Sequence, residues 1–155
     1  MIILNYFFLF HKNGAKVEKN RIITNFFYLC GVKKQNGHSA CSSIEEILHK
    51  WWGYNEFRPM QREIIESVLS GNDTLALMPT GGGKSLTFQI PALALEGLTI
   101  VITPLIALMK DQVDNLRRRG ISAVAVHSGM EQHRIEIALD NCAYGDFKML
   151  YLSPE

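Results

Sequence analysis

Cysteine is scarce in this sequence, and what there is stands unpaired. Cys30, Cys41 and Cys142 form no C-x-x-C pair, and an odd number argues against a disulfide framework. A reducing, cytoplasmic setting is the simpler expectation. Cys30, His38 and Cys41 lie close in sequence but at no spacing that suits a metal, so no metal site is predicted from them. Long apolar runs are lacking as well. The N-terminal run MIILNYFFLF has ten residues, against the ~20 that span a bilayer. No positive segment precedes it and no small-residue cleavage site follows closely, so it reads neither as a membrane span nor as a signal peptide. Internal repeats and low-complexity tracts are absent.

A strong charge of either sign is also missing. The formal net charge of +1 conceals an asymmetry: residues 1 to 40 carry six Lys or Arg against Glu18 alone, whereas residues 41 to 155 carry ten basic and fourteen acidic side chains. Net charge therefore neither supports nor excludes a nucleic-acid partner. Residues 1 to 41 hold no steady helical or alternating period and read as a leader; residues 42 to 155 read as a domain.

Order begins with Ser42 and Ser43, each followed three residues later by a glutamate, Glu45 or Glu46. That is a capping-box pattern, and Ile44, Ile47, Leu48 and Trp51 then share one helical face. A second helix is predicted from Pro59, with Met60, Ile64 and Val68 as its apolar stripe and Gly71 as its stop. Beyond it the chain alternates. Thr74 to Met78 reads as a buried strand, Lys84 to about Leu95 as a helix distorted at Pro91, and Leu98 to Thr103 as a strand. A helix on Leu105, Leu108, Met109, Val113 and Leu116 ends in RRRG, with cations at its negative end and Gly120 as stop. Ser122 to Val126 reads as a strand, Glu131 to about Cys142 as a helix, and Lys148 to Leu152 as a fourth strand. Such alternation predicts an α/β fold, a parallel sheet with helices on both faces.

In that frame the stretch MPTGGGKS, residues 78 to 85, falls between a strand end and a helix start, where parallel sheets gather ligands. Glycines let consecutive N–H groups turn inward, and the helix dipole adds positive potential at the same place. Thr80, Gly81, Gly82 and Gly83 would cradle phosphates, Lys84 would reach the β- and γ-phosphates of ATP, and Ser85 would hold Mg²⁺. Three glycines followed by Lys and Ser arise by chance on the order of once in 10⁶ positions. The strict phosphate-loop pattern wants glycine where this chain has Met78.

From Trp52 to Glu155 the chain resembles the start of the first RecA-like domain of RecQ-type DNA helicases, in which the loop takes the form MPTGGGKS. The resemblance implies that Tyr54 and Arg58, within GYNEFRPMQ, flank an adenine and that Gln61 reads its polar edge; stacking planes and a side-chain amide suit those tasks. Each also has a plainer reading: Tyr54 as core, Arg58 as a solvated cation, Gln61 as an exposed helix position. TPLIALMKDQV, residues 103 to 113, resembles a motif that touches single-stranded DNA, which implies that Thr103, the following helix amides and Lys110 contact its backbone. LYLSPE resembles the turn ahead of a D-E-x-H motif, and there Ser153 would approach the strand. Arg117, Arg118 and Arg119 read as a solvated helix end rather than a DNA patch. His127 and His133 read as surface or strand-end residues, and at least one of Trp51 and Trp52 as core.

One further absence shapes the expected function. No aspartate is followed by glutamate anywhere in the chain, although ATP hydrolysis in this class needs an acidic residue in the Mg²⁺ shell, a group that positions water and usually an arginine finger. The resemblance implies that these belong beyond Glu155, in a D-E-x-H motif and a second RecA-like domain. The expectation is thus a partial RecA-like domain of a 3′ to 5′ DNA helicase, binding ATP and Mg²⁺ without turnover and contacting single-stranded or partly duplex DNA. The alternatives are a truncated non-enzymatic chain and a small P-loop phosphotransferase.

Overall fold

The computed structural model describes residues 43–154; the expected leader over residues 1 to 41, with Cys30, His38 and Cys41, lies outside them. The described residues fall into two compact units, one ending at Glu96 and the other starting at Gly97.

The first unit is helical. Helix α1 spans Ile44–Trp52, and of the two capping boxes written in the sequence Ser43 forms the one used. Its hydroxyl accepts from the Glu46 N–H at 3.2 Å, while its own N–H donates to the Glu46 carboxylate at 3.2 Å. Two otherwise orphaned donors are thereby satisfied. Glu45, freed from capping, pairs instead with Arg62. Gly53, at φ 73°, ends the helix in the left-handed conformation, which a residue with a Cβ adopts at a cost.

Helix α2 spans Gln61–Leu69 and so begins two residues later than Pro59 led one to expect. Pro59 and Met60 form a turn instead: the Gln61 N–H donates to the Arg58 carbonyl at 3.1 Å, and Met60 sits at φ 69°. The expected stripe shifts with the start, since Met60 is exposed, Ile64 and Val68 are half-buried, and Ile65 is wholly buried. Gly71 closes this helix as expected, its N–H donating to the Val68 carbonyl at 2.9 Å. Helix α3, Lys84–Ala94, runs through Pro91 without ending there. Ile47, Leu48, Ile65 and Ile90 make the core of the three helices, with Trp51, Trp52 and Phe57 packed on its margin. Each such aliphatic side chain contributes about 1.5–3 kcal/mol by leaving water.

The strand expected over Thr74 to Met78 does not form. Residues 72 to 79 have no regular structure, and Leu75 and Leu77 are 83% and 70% exposed. An apolar run permits a strand, but only a ladder with a neighbour makes one, and the ladders among the described residues join three other segments.

Those segments lie in the second unit. Strand β1 is Thr99–Ile102, helix α4 Ile106–Arg118, strand β2 Ala123–Val126, helix α5 Gln132–Tyr144 and strand β3 Met149–Leu152. Three of the four predicted strands are therefore present, shorter at their ends by one or two residues. The sheet is parallel with order β1-β3-β2, and Ile102, Leu152 and Val126 stand at one level across it. The chain crosses from β1 past the central position to β2 and then returns to β3. With right-handed crossovers, this reversal of direction places α4 and α5 on opposite faces. Val126 and Leu150 pack with Ala138 of α5. Met149 and Tyr151, of the other parity, are equally buried, so both faces are covered in an α/β arrangement. Helix α4 ends as its sequence suggests, with Gly120 at φ 80° after three arginines. Arg117 is tied into the fold, its Nε donating to the Ala123 carbonyl at 2.9 Å.

Candidate nucleotide and strand-end sites

The glycine stretch makes a tight turn into α3. The Gly82 N–H donates to the Pro79 carbonyl at 3.1 Å, with Gly81 at φ 80° in the third position of the turn, a geometry that favours glycine there. Gly83 follows at φ 76° as the residue before the helix, and no side chain caps the helix amides. Two independent constraints hold Gly83: its backbone is left-handed, and a Cβ would lie 2.3 Å from Gln61 Nε2. Lys84 and Ser85, half-buried, open the helix. Open first-turn amides behind a glycine loop, with a lysine and a hydroxyl beside them, fit a polyphosphate and its hydrated divalent cation.

The residues upstream are tied to this loop. Gln61 is 1% exposed, which removes the reading of an exposed helix position. Its Nε2 donates to the carbonyls of Gly83 at 3.1 Å and Gly82 at 3.4 Å, while its Oε1 accepts from the Arg58 N–H at 2.9 Å. The Arg58 guanidinium donates to the Gly81 carbonyl at 2.6 Å, so it is more than a solvated cation. Tyr54 is 54% exposed and does not belong to the core. Beside Arg58 is an open cavity of about 410 Å³, lined among others by Phe57, Pro59 and Arg62. Arg62 lies 5.4 Å from the Phe57 ring centre and holds Glu45 in a charge-assisted pair that lowers the Glu45 carboxyl below its usual range.

In the second unit Thr103, His127 and Ser153 each follow directly on a strand. The backbone ladder continues into them: the Thr103 N–H donates to the Leu152 carbonyl at 3.0 Å and the Ser153 N–H to the Val126 carbonyl at 3.2 Å. The sequence names Thr103 and Ser153 as separate strand contacts and reads His127 only as a surface or strand-end residue. Its signal was positional, since it stands after the AVAV strand as Thr103 stands after TIVI and Ser153 after MLYL. Lys110 is exposed on the second turn of α4. His133 is exposed on α5. Cys142, half-buried, has its thiol pushed up to about 11 by burial, which makes it a poor nucleophile. Among the described residues no cluster of His, Cys, Asp and Glu is arranged to hold a metal ion, and no helix is long and apolar enough to cross a membrane.

Comparison with known proteins agrees with the RecQ resemblance. The chain is 48% identical over 113 residues to the ATP-dependent DNA helicase RecQ of Synechocystis sp., a match that covers 73% of this chain and 24% of that protein. It is 50% identical over 113 residues to the ATP-dependent DNA helicase RecQ of Pasteurella multocida, covering 71% of this chain and 17% of the relative. Against the probable ATP-dependent DNA helicase RecS of Bacillus subtilis it is 41% identical over 115 residues, covering 74% and 23%. The chain thus spans less than a quarter of the length of these relatives. Residues 58–155 match the DEAD/DEAH box helicase family, and with RecQ helicases as its relatives the chain belongs to that family.

Proposed function

We propose that this chain is the nucleotide-binding part of an ATP-dependent, 3′ to 5′ DNA helicase of RecQ type, working in a reducing, cytoplasmic setting. The observation that carries the reading is the turn in which Gly81 and Gly83 take positive φ at the mouth of α3, with Gln61 and Arg58 hydrogen-bonded to its carbonyls. Those bonds occupy the loop's acceptors, and since the Gly82 N–H is held by the Pro79 carbonyl, the other N–H groups of the loop and the first amides of α3 are the ones left for an anion. In this proposal Thr80, Gly81, Gly82 and Gly83 hold the phosphates of ATP, Lys84 neutralises the terminal ones, and the Ser85 hydroxyl holds Mg²⁺. Bound Mg²⁺ would supply charge neutralisation at the phosphate oxygens.

Tyr54 and Arg58 would flank the adenine, with the base in the open space beside Arg58. Gln61 would donate to the base edge only by exchanging a bond of Nε2, which already serves two carbonyls, whereas Oε1 accepts one bond and keeps a second acceptor site. DNA backbone would lie along Thr103, Lys110 and Ser153. With no Asp-Glu pair in the chain, nucleotide is bound but not hydrolysed by this polypeptide alone. The match to the helicase family leaves the small-phosphotransferase alternative without support.

Calorimetric titration of the purified chain with ADP and Mg²⁺, beside Lys84→Ala, tests the proposal. Saturable binding that the variant loses is the expected result. Equal binding by both proteins would remove Lys84 from the site, and binding by neither would remove the nucleotide.

A further inference from the structure

Three parallel strands end at one level in this sheet, and the residue after each end carries the same anomaly. Ile102, Leu152 and Val126 are in register across β1, β3 and β2. The next residues, Thr103, Ser153 and His127, therefore stand side by side on neighbouring strands, and since side chains alternate along a strand all three point to the same face. That face is opposite to the one on which Val126 and Leu150 meet α5. Thr103 Oγ1, Ser153 Oγ and His127 Nδ1 are each shielded from solvent without any hydrogen-bond partner, and no other described side chain shares that condition. A buried polar atom with no partner is destabilising, and native proteins keep few of them. Three in a row on adjacent strands mark a place that a ligand completes.

The chemistry of the three groups defines that ligand. Two hydroxyls and an imidazole with its proton on Nδ1 are all able to donate, and neighbouring strands set them about 4.8 Å apart. Helix α4 begins three residues after Thr103, and its first amides have no side-chain cap, which adds donors and a positive dipole end. The residues that follow the three in the chain, Pro104 and Leu105, Ser128 and Gly129, and Pro154, are all exposed. The imidazole is fitted closely beneath the second of these turns, because a Cβ on Gly129 would lie 3.3 Å from Nδ1. Three groups that can all donate, in a row at the carboxyl edge of a parallel sheet, suit an oxyanion.

We infer that His127 is the third donor of one phosphodiester-binding row made with Thr103 and Ser153, and that it contacts the backbone of single-stranded DNA. This rests on the reading of Thr103 and Ser153 as DNA contacts, and adds a residue that neither the sequence motifs nor the RecQ resemblance pointed to. Because the row meets phosphate and not base edges, the contact carries no sequence preference.

The test is fluorescence anisotropy of a labelled oligo-dT strand titrated with the full chain, its His127→Ala variant and its His127→Asn variant. Asparagine can place an N–H close to the position of Nδ1. Loss of roughly tenfold in affinity with alanine, recovered in large part with asparagine and equal for oligo-dT and oligo-dA, is the expected result. Equal affinity for all three proteins would overturn the role of His127 while leaving DNA binding by the chain intact. An unmodified chain that fails to bind the strand at any salt concentration would overturn the DNA reading and this inference together.

Discussion

The phosphate loop and the strand-end row are both suited to an anion, yet they treat their polar atoms in opposite ways. At the loop the backbone offers the donors, and side chains are spent on holding it: Gln61 and Arg58 take up the carbonyls of Gly81, Gly82 and Gly83. At the strand ends the side chains are the donors and nothing occupies them. The first site is pre-organised, so its interactions stabilise the folded chain before any ligand arrives. In the second the protein carries a desolvation cost that only a ligand offsets. Substitution should therefore reduce stability at the loop and raise it, or leave it unchanged, at the strand ends.

The largest effect is expected at Gly83. Alanine there must adopt φ 76° and displace Gln61 Nε2 from a position 2.3 Å from the new Cβ. Left-handed strain alone costs about 1–2 kcal/mol, and losing the Gln61 bond adds to it. Gly83→Ala should lower the melting temperature and abolish ADP binding. A variant that binds ADP as well as the parent would show that the turn is not the cradle.

Gln61→Ala follows. It strips partners from the Gly83 carbonyl and the Arg58 N–H and opens space at a 1% exposed position. A loss of about 1–3 kcal/mol is expected in urea unfolding, together with weaker preference for adenine over guanine nucleotides. Reduced stability with unchanged base preference would confine Gln61 to holding the loop, and so sharpen the contrast drawn above.

Thr103→Val reverses the sign. Valine keeps the β-branched shape and removes an oxygen that has no partner, so stability should be unchanged or rise by up to about 1 kcal/mol, while affinity for single-stranded DNA falls. Destabilisation by this variant would break the comparison, for it would mean that the hydroxyl is satisfied in the folded chain.

How far the sequence carried the reading follows the same line between local and non-local causes. The Ser43 cap, the glycine stops at Gly71 and Gly120, and the turn of Gly81 to Gly83 are set by neighbours within a few residues, and all were legible. The start of α2 was misplaced because Met60 takes a left-handed backbone that nothing about methionine announces. Thr74 to Met78 was read as a strand from its apolar character, yet a ladder depends on partners that a local pattern does not contain. Gln61 was legible as a candidate through spacing and resemblance, whereas its bonds to glycines 21 and 22 residues away were not. His127 was legible only as a surface or strand-end residue, because its place in a row depends on register: only the order β1-β3-β2 sets it in line with Ser153 and Thr103.

The smallest effect concerns a pair at the surface, where engagement of a polar group is worth least. Glu45 and Arg62 join α1 to α2, and the hydrogen bond from Arg62 holds the Glu45 carboxyl below its usual value of 4.5. A carboxylate whose folded value is depressed contributes fully above its unfolded value, and that contribution is lost as pH falls through the folded one. Stability of the parent should therefore decline more steeply than that of Glu45→Gln as pH drops below 4.5, with the two nearly parallel at neutral pH. Both side chains are close to half exposed, so raised salt should shrink the difference. Arg62 also lines the space beside Arg58. If Glu45→Gln altered ADP affinity as much as stability, this exposed pair would belong with Gln61 and Arg58 among the groups that pre-organise the nucleotide site, and pre-organisation would extend from the loop to the surface of α1.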